Sequence, residues 1–128
     1  MRGTIAVIDD NELTRVIAGD ALRELEYEPA LYSSCTDALA EMRRRTPAAC
    51  IVDHCMPDMT GAEFVRALRA SPDARLRNLP VVGLTMQFEW ELLEAGANAS
   101  LRKPVKVPAL GAVLSRVVRP PGRAGLRP

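Results

Sequence analysis

Cys50-Ile51-Val52-Asp53-His54-Cys55-Met56-Pro57-Asp58-Met59-Thr60-Gly61 is the stretch whose reading decides the fold. An apolar run stops in an acid, a proline-containing loop follows, and Thr60-Gly61 opens a segment with Phe64, Val65 and Leu68 at helical spacing. A short run without polar alternation suits a strand buried on both faces, as in parallel sheets covered by helices. Ligands of such sheets bind beyond the carboxyl ends of the strands, which makes an acid in that place a candidate reactive group. The third strand is expected over Ala49 to Asp53, and Asp53 is the residue around which the other informative positions arrange themselves.

The same grammar repeats on both sides. Ile5-Ala6-Val7-Ile8 is a strand ending in Asp9-Asp10, Pro80 to Thr85 is a strand ending in a hydroxyl, and Ala99 to Lys103 is a short strand ending in an ammonium before Pro104. Ala30-Leu31-Tyr32 reads as a weaker strand. From Asn11 the period becomes helical, with Leu13, Val16, Ile17, Ala21 and Leu25 on one face until Pro29 ends the helix. Thr36-Asp37 can cap a second helix carrying Ala38, Leu39 and Met42, closed by Arg43-Arg44-Arg45 as a solvated end rather than a phosphate patch. The helix opened by Thr60-Gly61 is broken at Ser71-Pro72-Asp73. A helix with Trp90, Leu92 and Leu93 runs to a terminal Gly96, and Val107 to Val118 forms the last, with Pro108 near its start. Five strands alternating with five helices predict an α/β, flavodoxin-like, doubly wound five-stranded parallel sheet of order 2-1-3-4-5.

Bulk properties narrow the function. The chain has 128 residues, 48% of them hydrophobic and 26% charged, which fits one globular domain. A net charge of +1 gives no bulk attraction to nucleic acid or to a membrane surface. No segment approaches the ~20 apolar residues of a membrane span. Cys35, Cys50 and Cys55 lack metal-site spacing and are odd in number, which favours free thiols in the cytoplasm. A folded domain over residues 1–119 and a Pro/Gly/Arg-rich tail or linker remnant over 120–128 are expected.

In the predicted strand order, Asp9, Asp10 and Asp53 meet Thr85 and Lys103 at the switch point of the sheet. Three neighbouring carboxylates resist ionisation unless a cation joins them, and Mg2+, which takes a few carboxylates and keeps several waters, suits the set. Lys103 can neutralise one oxygen of a phosphoryl group as a point charge while the Thr85 hydroxyl donates to another. One oriented carboxylate is then a nucleophile, and Asp53 at the centre of the sheet is the candidate. His54 beside Cys55 lacks further ligands for a metal pair and reads as a packing residue on the other side of the strand. Trp90 reads as core or a surface anchor.

Ile8-Asp9-Asp10, the D-x-x-M-P-x-M-x-G run from Asp53 to Gly61, Leu84-Thr85 and Lys103-Pro104, in that order, resemble the receiver domain of two-component response regulators. The likeness covers nearly the whole chain. It implies that Asp53 accepts a phosphoryl group from a phosphohistidine on a sensor histidine kinase or histidine phosphotransfer protein. It also implies that Asp10, Asp53 and the Cys55 backbone carbonyl ligate Mg2+, with Asp9 acting through a coordinated water, and that Thr85 and Lys103 contact the phosphoryl group. Such a domain hydrolyses its own acyl phosphate and is an acceptor rather than a turnover enzyme. A downstream protein target is implied without being identified, no direct nucleic-acid or membrane partner is, and a homodimer stays open.

The sequence departs from that pattern where a signal would leave the site. Ser100 stands where receivers carry an aromatic residue, Met86 where the residue after the threonine is small, and the segment from Thr85 to Lys103 is about one helical turn short. A short or irregular fourth helix follows. A receiver-like interaction scaffold with phosphorylation-independent or atypical output is the alternative. A phosphohydrolase would want an acid where Cys55 stands, and a flavin-binding module would want a phosphate loop where Asp9-Asp10-Asn11-Glu12 would repel one.

Overall fold

Ile5 and Val7 lie in one hydrophobic cluster and Ala6 and Ile8 in another, all four buried, which is why the first strand carries no polar alternation. In the computed structural model, which describes residues 2–87 and 89–118, five strands form one parallel sheet. They are β1 Thr4–Ile8, β2 Glu28–Tyr32, β3 Ala49–Val52, β4 Val81–Thr85 and β5 Ala99–Arg102, in the order β2-β1-β3-β4-β5. The predicted flavodoxin-like order is the observed one. The domain boundary expected at residue 119 and the tail 120–128 lie outside the described residues.

Two cores flank the sheet. On one face α1 (Glu12–Glu24) and α6 (Val107–Val117) bury Ala18, Leu22, Leu110 and Leu114 against Ile5, Val7, Ile51 and Leu84. On the other, α2 (Cys35–Arg44), α3 (Gly61–Arg69), α4 (Ala74–Arg77) and α5 (Glu89–Ala95) bury Met42, Phe64, Leu68, Leu76 and Leu92 against Ala6, Ile8, Cys50 and Val52. Among the described residues the helices therefore number six rather than the expected five. Pro72 does stop α3, but the Asp73 carboxylate accepts from the Arg75 N–H at 2.9 Å and caps a further turn, α4. The expected short helix is α5, of seven residues.

Other boundaries move for local reasons. Pro29 does not end α1: the helix closes at Glu24, with the Tyr27 N–H reaching Leu22 C=O at 2.8 Å and the Glu26 N–H reaching Arg23 C=O at 2.9 Å. That is a Schellman closure, with Glu26 at φ 69 in the place usually held by glycine. At the end of α5 the same pair of bonds forms around Gly96, as its identity predicts. Pro29 lies inside β2, paired in register with Ile5. The cap of α2 is Ser34, which accepts from the Asp37 N–H, rather than Thr36-Asp37. The apolar face expected of α1 divides, with Ala18, Ala21 and Leu22 buried and Leu13, Val16 and Ile17 exposed.

Arg69, at the C-terminus of α3, fastens the second core. Its Nε donates to Gly96 C=O at 3.0 Å, Nη1 to Arg77 and Leu79 C=O at 2.9 and 2.8 Å, and Nη2 to Asn98 Oδ1 at 3.0 Å. One guanidinium thus joins α3 to the end of α4, the approach to β4 and the turn before β5.

Candidate functional site

The site forms because three strands end at one level. The Asp53 N–H donates to Ile8 C=O at 3.0 Å, the Lys103 N–H to Thr85 C=O at 3.1 Å, and the Asp9 N–H to Tyr32 C=O at 3.1 Å. Asp9, Asp53 and Lys103 each lie one residue past their strand and share the alternation of Val7, Ile51 and Leu101, on the side of α1 and α6. Thr85 has the opposite alternation and faces the side of α5 with Gly83 and Ser100.

Oxygens of Asp9, Asp10 and Asp53 lie within 4.8 Å of one another. Asp9 is 1% exposed and Asp53 7%, while Asp10 is open to solvent. The Lys103 ammonium sits 2.8 Å from Asp9 Oδ2 and 3.5 Å from Asp53 Oδ2. Burial and the neighbouring Asp9 charge raise the Asp53 pKa against the opposing effects of Lys103 and of the Cys55 N–H, which donates to the Asp53 carboxylate. Burial works against the charged form of Lys103, yet its contact with Asp9 and the charge of Asp53 raise its pKa overall.

These donors suit a hard divalent ion. Asp9 Oδ2 is buried without a well-directed hydrogen bond, so that contact with Lys103 is an ion pair which leaves lone-pair capacity on the oxygen. The exposed Asp10 and the solvent-facing Cys55 give the cluster an open side. Three oxygens with room for water are what Mg2+ prefers. The structure thus brings together Asp9, Asp10, Asp53 and Lys103, places the Cys55 backbone beside Asp53, and sets Thr85 at the adjoining strand end, its Oγ1 accepting from the Gln87 N–H at 3.2 Å.

Four further residues support the site. Arg15 Nη1 donates to Asp9 C=O at 2.7 Å and the Asn11 N–H to Asp9 Oδ1 at 2.9 Å, which fixes the first acid from the start of α1. Asp58 accepts from the Cys35 and Thr36 N–H groups at 3.3 and 2.8 Å and from the Thr36 hydroxyl at 2.8 Å, which ties the loop after β3 to the start of α2. An acid in a loop gives no hint of that distant helix terminus. His54 follows the end of β3 and is buried on the face opposite Asp53, as expected of a packing residue, but it also carries polar contacts: its Nδ1 accepts from the Ala62 N–H at 3.4 Å and its Nε2 lies 3.1 Å from Glu91 Oε2. Trp90 is a surface residue, 64% exposed.

A profile of the response regulator receiver domain matches residues 5–115. The chain belongs to the receiver domain family. The receiver is 29% identical over 112 residues to the polar-differentiation response regulator DivK of Brucella ovis, covering 84% of this chain and 89% of that one. Among solved structures it is similar to the chemotaxis response regulator CheY4 of Vibrio cholerae, with a TM-score of 0.82, 28% identity and coverage of 92% and 100% of the two chains. It is also similar to the receiver domain of a sensor histidine kinase from Pseudomonas aeruginosa, with a TM-score of 0.83, 26% identity and coverage of 91% and 98%. That protein has a magnesium ion coordinated in its active-site cleft. The receiver described here is thus a module of two-component signalling, with an acidic pocket compatible with Mg2+.

Proposed function

We propose that Asp53 is a phosphoacceptor, charged by a phosphohistidine on a sensor histidine kinase or histidine phosphotransfer protein. The observation that carries this reading is the Lys103 ammonium held at 2.8 Å from Asp9 and 3.5 Å from Asp53, inside a cluster of three acids. An Asp53 oxygen attacks phosphorus, the bond between phosphorus and the donor's imidazole nitrogen breaks, and that nitrogen keeps the electron pair. Lys103 turns from its carboxylate partners toward one phosphoryl oxygen, and the Thr85 hydroxyl donates to another. Asp9, Asp10, Asp53 and the Cys55 carbonyl would hold Mg2+, which supplies charge neutralisation to the phosphoryl oxygens when bound. Attack of water on phosphorus returns the Asp53 carboxylate, and the protein acts as a transient acceptor rather than a turnover enzyme.

Leu13 and Ile17 of α1 support a protein donor. They are exposed and, with Met86, Pro104 and Val105, line a cleft of about 400 Å³ next to Lys103. An apolar surface beside a reacting group suits the docking of a helix that carries the phosphohistidine. Three free thiols among the described residues support a reducing, cytoplasmic setting.

The test is Mg2+-dependent labelling of Asp53 by acetyl phosphate, followed by mass spectrometry, together with beryllofluoride binding followed by fluorine NMR. Both signals are expected in the wild type and absent in Asp53→Asn. A folded protein that takes neither in the presence of Mg2+ overturns the acceptor reading. Partner binding that is indifferent to Asp53→Asn would then favour a phosphorylation-independent scaffold.

A further inference from the structure

His54 directly follows the acceptor, and its side chain is engaged away from the acidic cluster. Three of its contacts bear on the neighbouring helices. Its carbonyl accepts from the Gly61 N–H at 2.8 Å, its Nδ1 accepts from the Ala62 N–H at 3.4 Å, and its Nε2 lies 3.1 Å from Glu91 Oε2 on α5. With Nδ1 accepting, Nε2 is the nitrogen that presents a proton to the Glu91 carboxylate. The first two contacts satisfy N–H groups in the first turn of α3, and the third crosses to another helix.

The seating of α3 leaves little slack. A Cβ at Gly61 would stand 2.5 Å from the Asp53 carbonyl oxygen and 2.8 Å from His54 Cα, so the helix rests directly on the acceptor's own peptide. Acylation of Asp53 would add charge and bulk at this point. Rearrangement of the Asp53-His54-Cys55 backbone would meet resistance from α3, whereas the imidazole can turn about two side-chain torsions and shift its bond to Glu91. A further polar link to α5, Arg102 Nε donating to Glu89 Oε1 at 2.8 Å, lies at the exposed rim of the surface under that helix, whereas His54 is buried. Gly83 and Ser100 are paired in register there, Leu92 of α5 fills the space above Gly83, and Ser100 Oγ is buried without a hydrogen-bond partner among the described residues.

We infer that His54 and Glu91 form the link through which the state of Asp53 sets the position of α5, and with it the exposed Trp90 and Leu93. Both are positioning residues, and the inference rests on the acceptor reading above. Trp90 is the sole tryptophan of the chain, so its emission reports on α5 directly. The full chain is titrated with beryllofluoride in Mg2+, with site occupancy followed by fluorine NMR and Trp90 emission recorded on the same samples. The wild type is expected to show an emission change that saturates with occupancy. Glu91→Ala is expected to keep beryllofluoride binding and lose the emission change, and Glu91→Gln, whose amide oxygen accepts the same bond, to keep both. Because Glu91 adjoins Trp90, His54→Phe provides an independent variant with the same expected loss. An emission response retained at full occupancy in Glu91→Ala or His54→Phe overturns the link, as does a wild type that binds the probe without an emission change. Failure of the folded wild type to bind the probe overturns the acceptor reading itself.

Discussion

Asp53 is held in a state that disfavours its own charge, because burial and Asp9 outweigh the opposing effects of Lys103 and Cys55. Burial and Asp9 raise its pKa in the folded protein, so its ionisation costs stability. The sign follows from linkage: a raised carboxyl binds its proton more tightly in the folded state. The penalty is absent below the ordinary carboxylate range near 4 and grows as pH rises through it to the elevated folded value. Asp53→Asn is therefore expected to melt higher than the wild type at pH 7 in chelator, with the gap closing toward pH 3.5. Added Mg2+ should raise the wild-type Tm more than that of the variant. Thermal melts over a pH series with and without Mg2+ measure both effects. The thiols divide by environment in a similar way. Burial above all pushes Cys35 and Cys50 up to about 12, whereas Cys55 is exposed in the loop after Asp53. Iodoacetamide at pH 8 should label Cys55 alone in the folded protein and all three cysteines in denaturant, as peptide mass spectrometry would show. The residues of the acidic site were legible in the sequence because each ends an apolar run. His54 was not, since the partner of its Nε2 lies 37 positions along the chain on a helix whose placement no local pattern specifies.

Two helix ends built from the same pair of bonds show what local sequence can and cannot announce. At Gly96 the residue itself signals the closure of α5, because glycine tolerates positive φ at no steric cost. At Glu26 the identical closure of α1 is made by a residue with a Cβ, and tertiary packing pays for it: Tyr27 is buried immediately afterwards and β2 must begin at Glu28. Pro29 is the most visible breaker in this stretch, yet the helix has already closed before it. Glu26→Gly should stabilise the protein by about 1 kcal/mol, the usual penalty for a side chain in left-handed backbone. Urea titration would show it as a higher midpoint with an unchanged slope. The extra helix α4 is hidden in the sequence for the converse reason, since Pro72 ends one helix while the adjacent Asp73 caps the next.

At the level of the whole molecule, strand order was readable because short connections and right-handed crossovers leave few ways to arrange five strands, and the strand ends place all the chemistry at one edge. The fastening of that sheet to its helices was not readable, because Arg69 reaches four groups between 8 and 29 residues away. Arg69→Ala should cost about 3 kcal/mol, the scale of removing a half-buried charged donor from several carbonyls at once. Denaturant unfolding would measure it, while beryllofluoride binding to the folded fraction should survive. The placement of Pro29 bears on what the β2 edge of the sheet can pair with. The Glu28 N–H points inward to Gly3 C=O at 2.9 Å, so by alternation the donor that Pro29 lacks would have faced outward from the edge strand β2. The sheet gives up no internal bond, and a strand arriving from another molecule finds a gap in the ladder it would have to copy. Growth by sheet extension is discouraged on that flank, while the opposite edge strand, β5, carries no such proline.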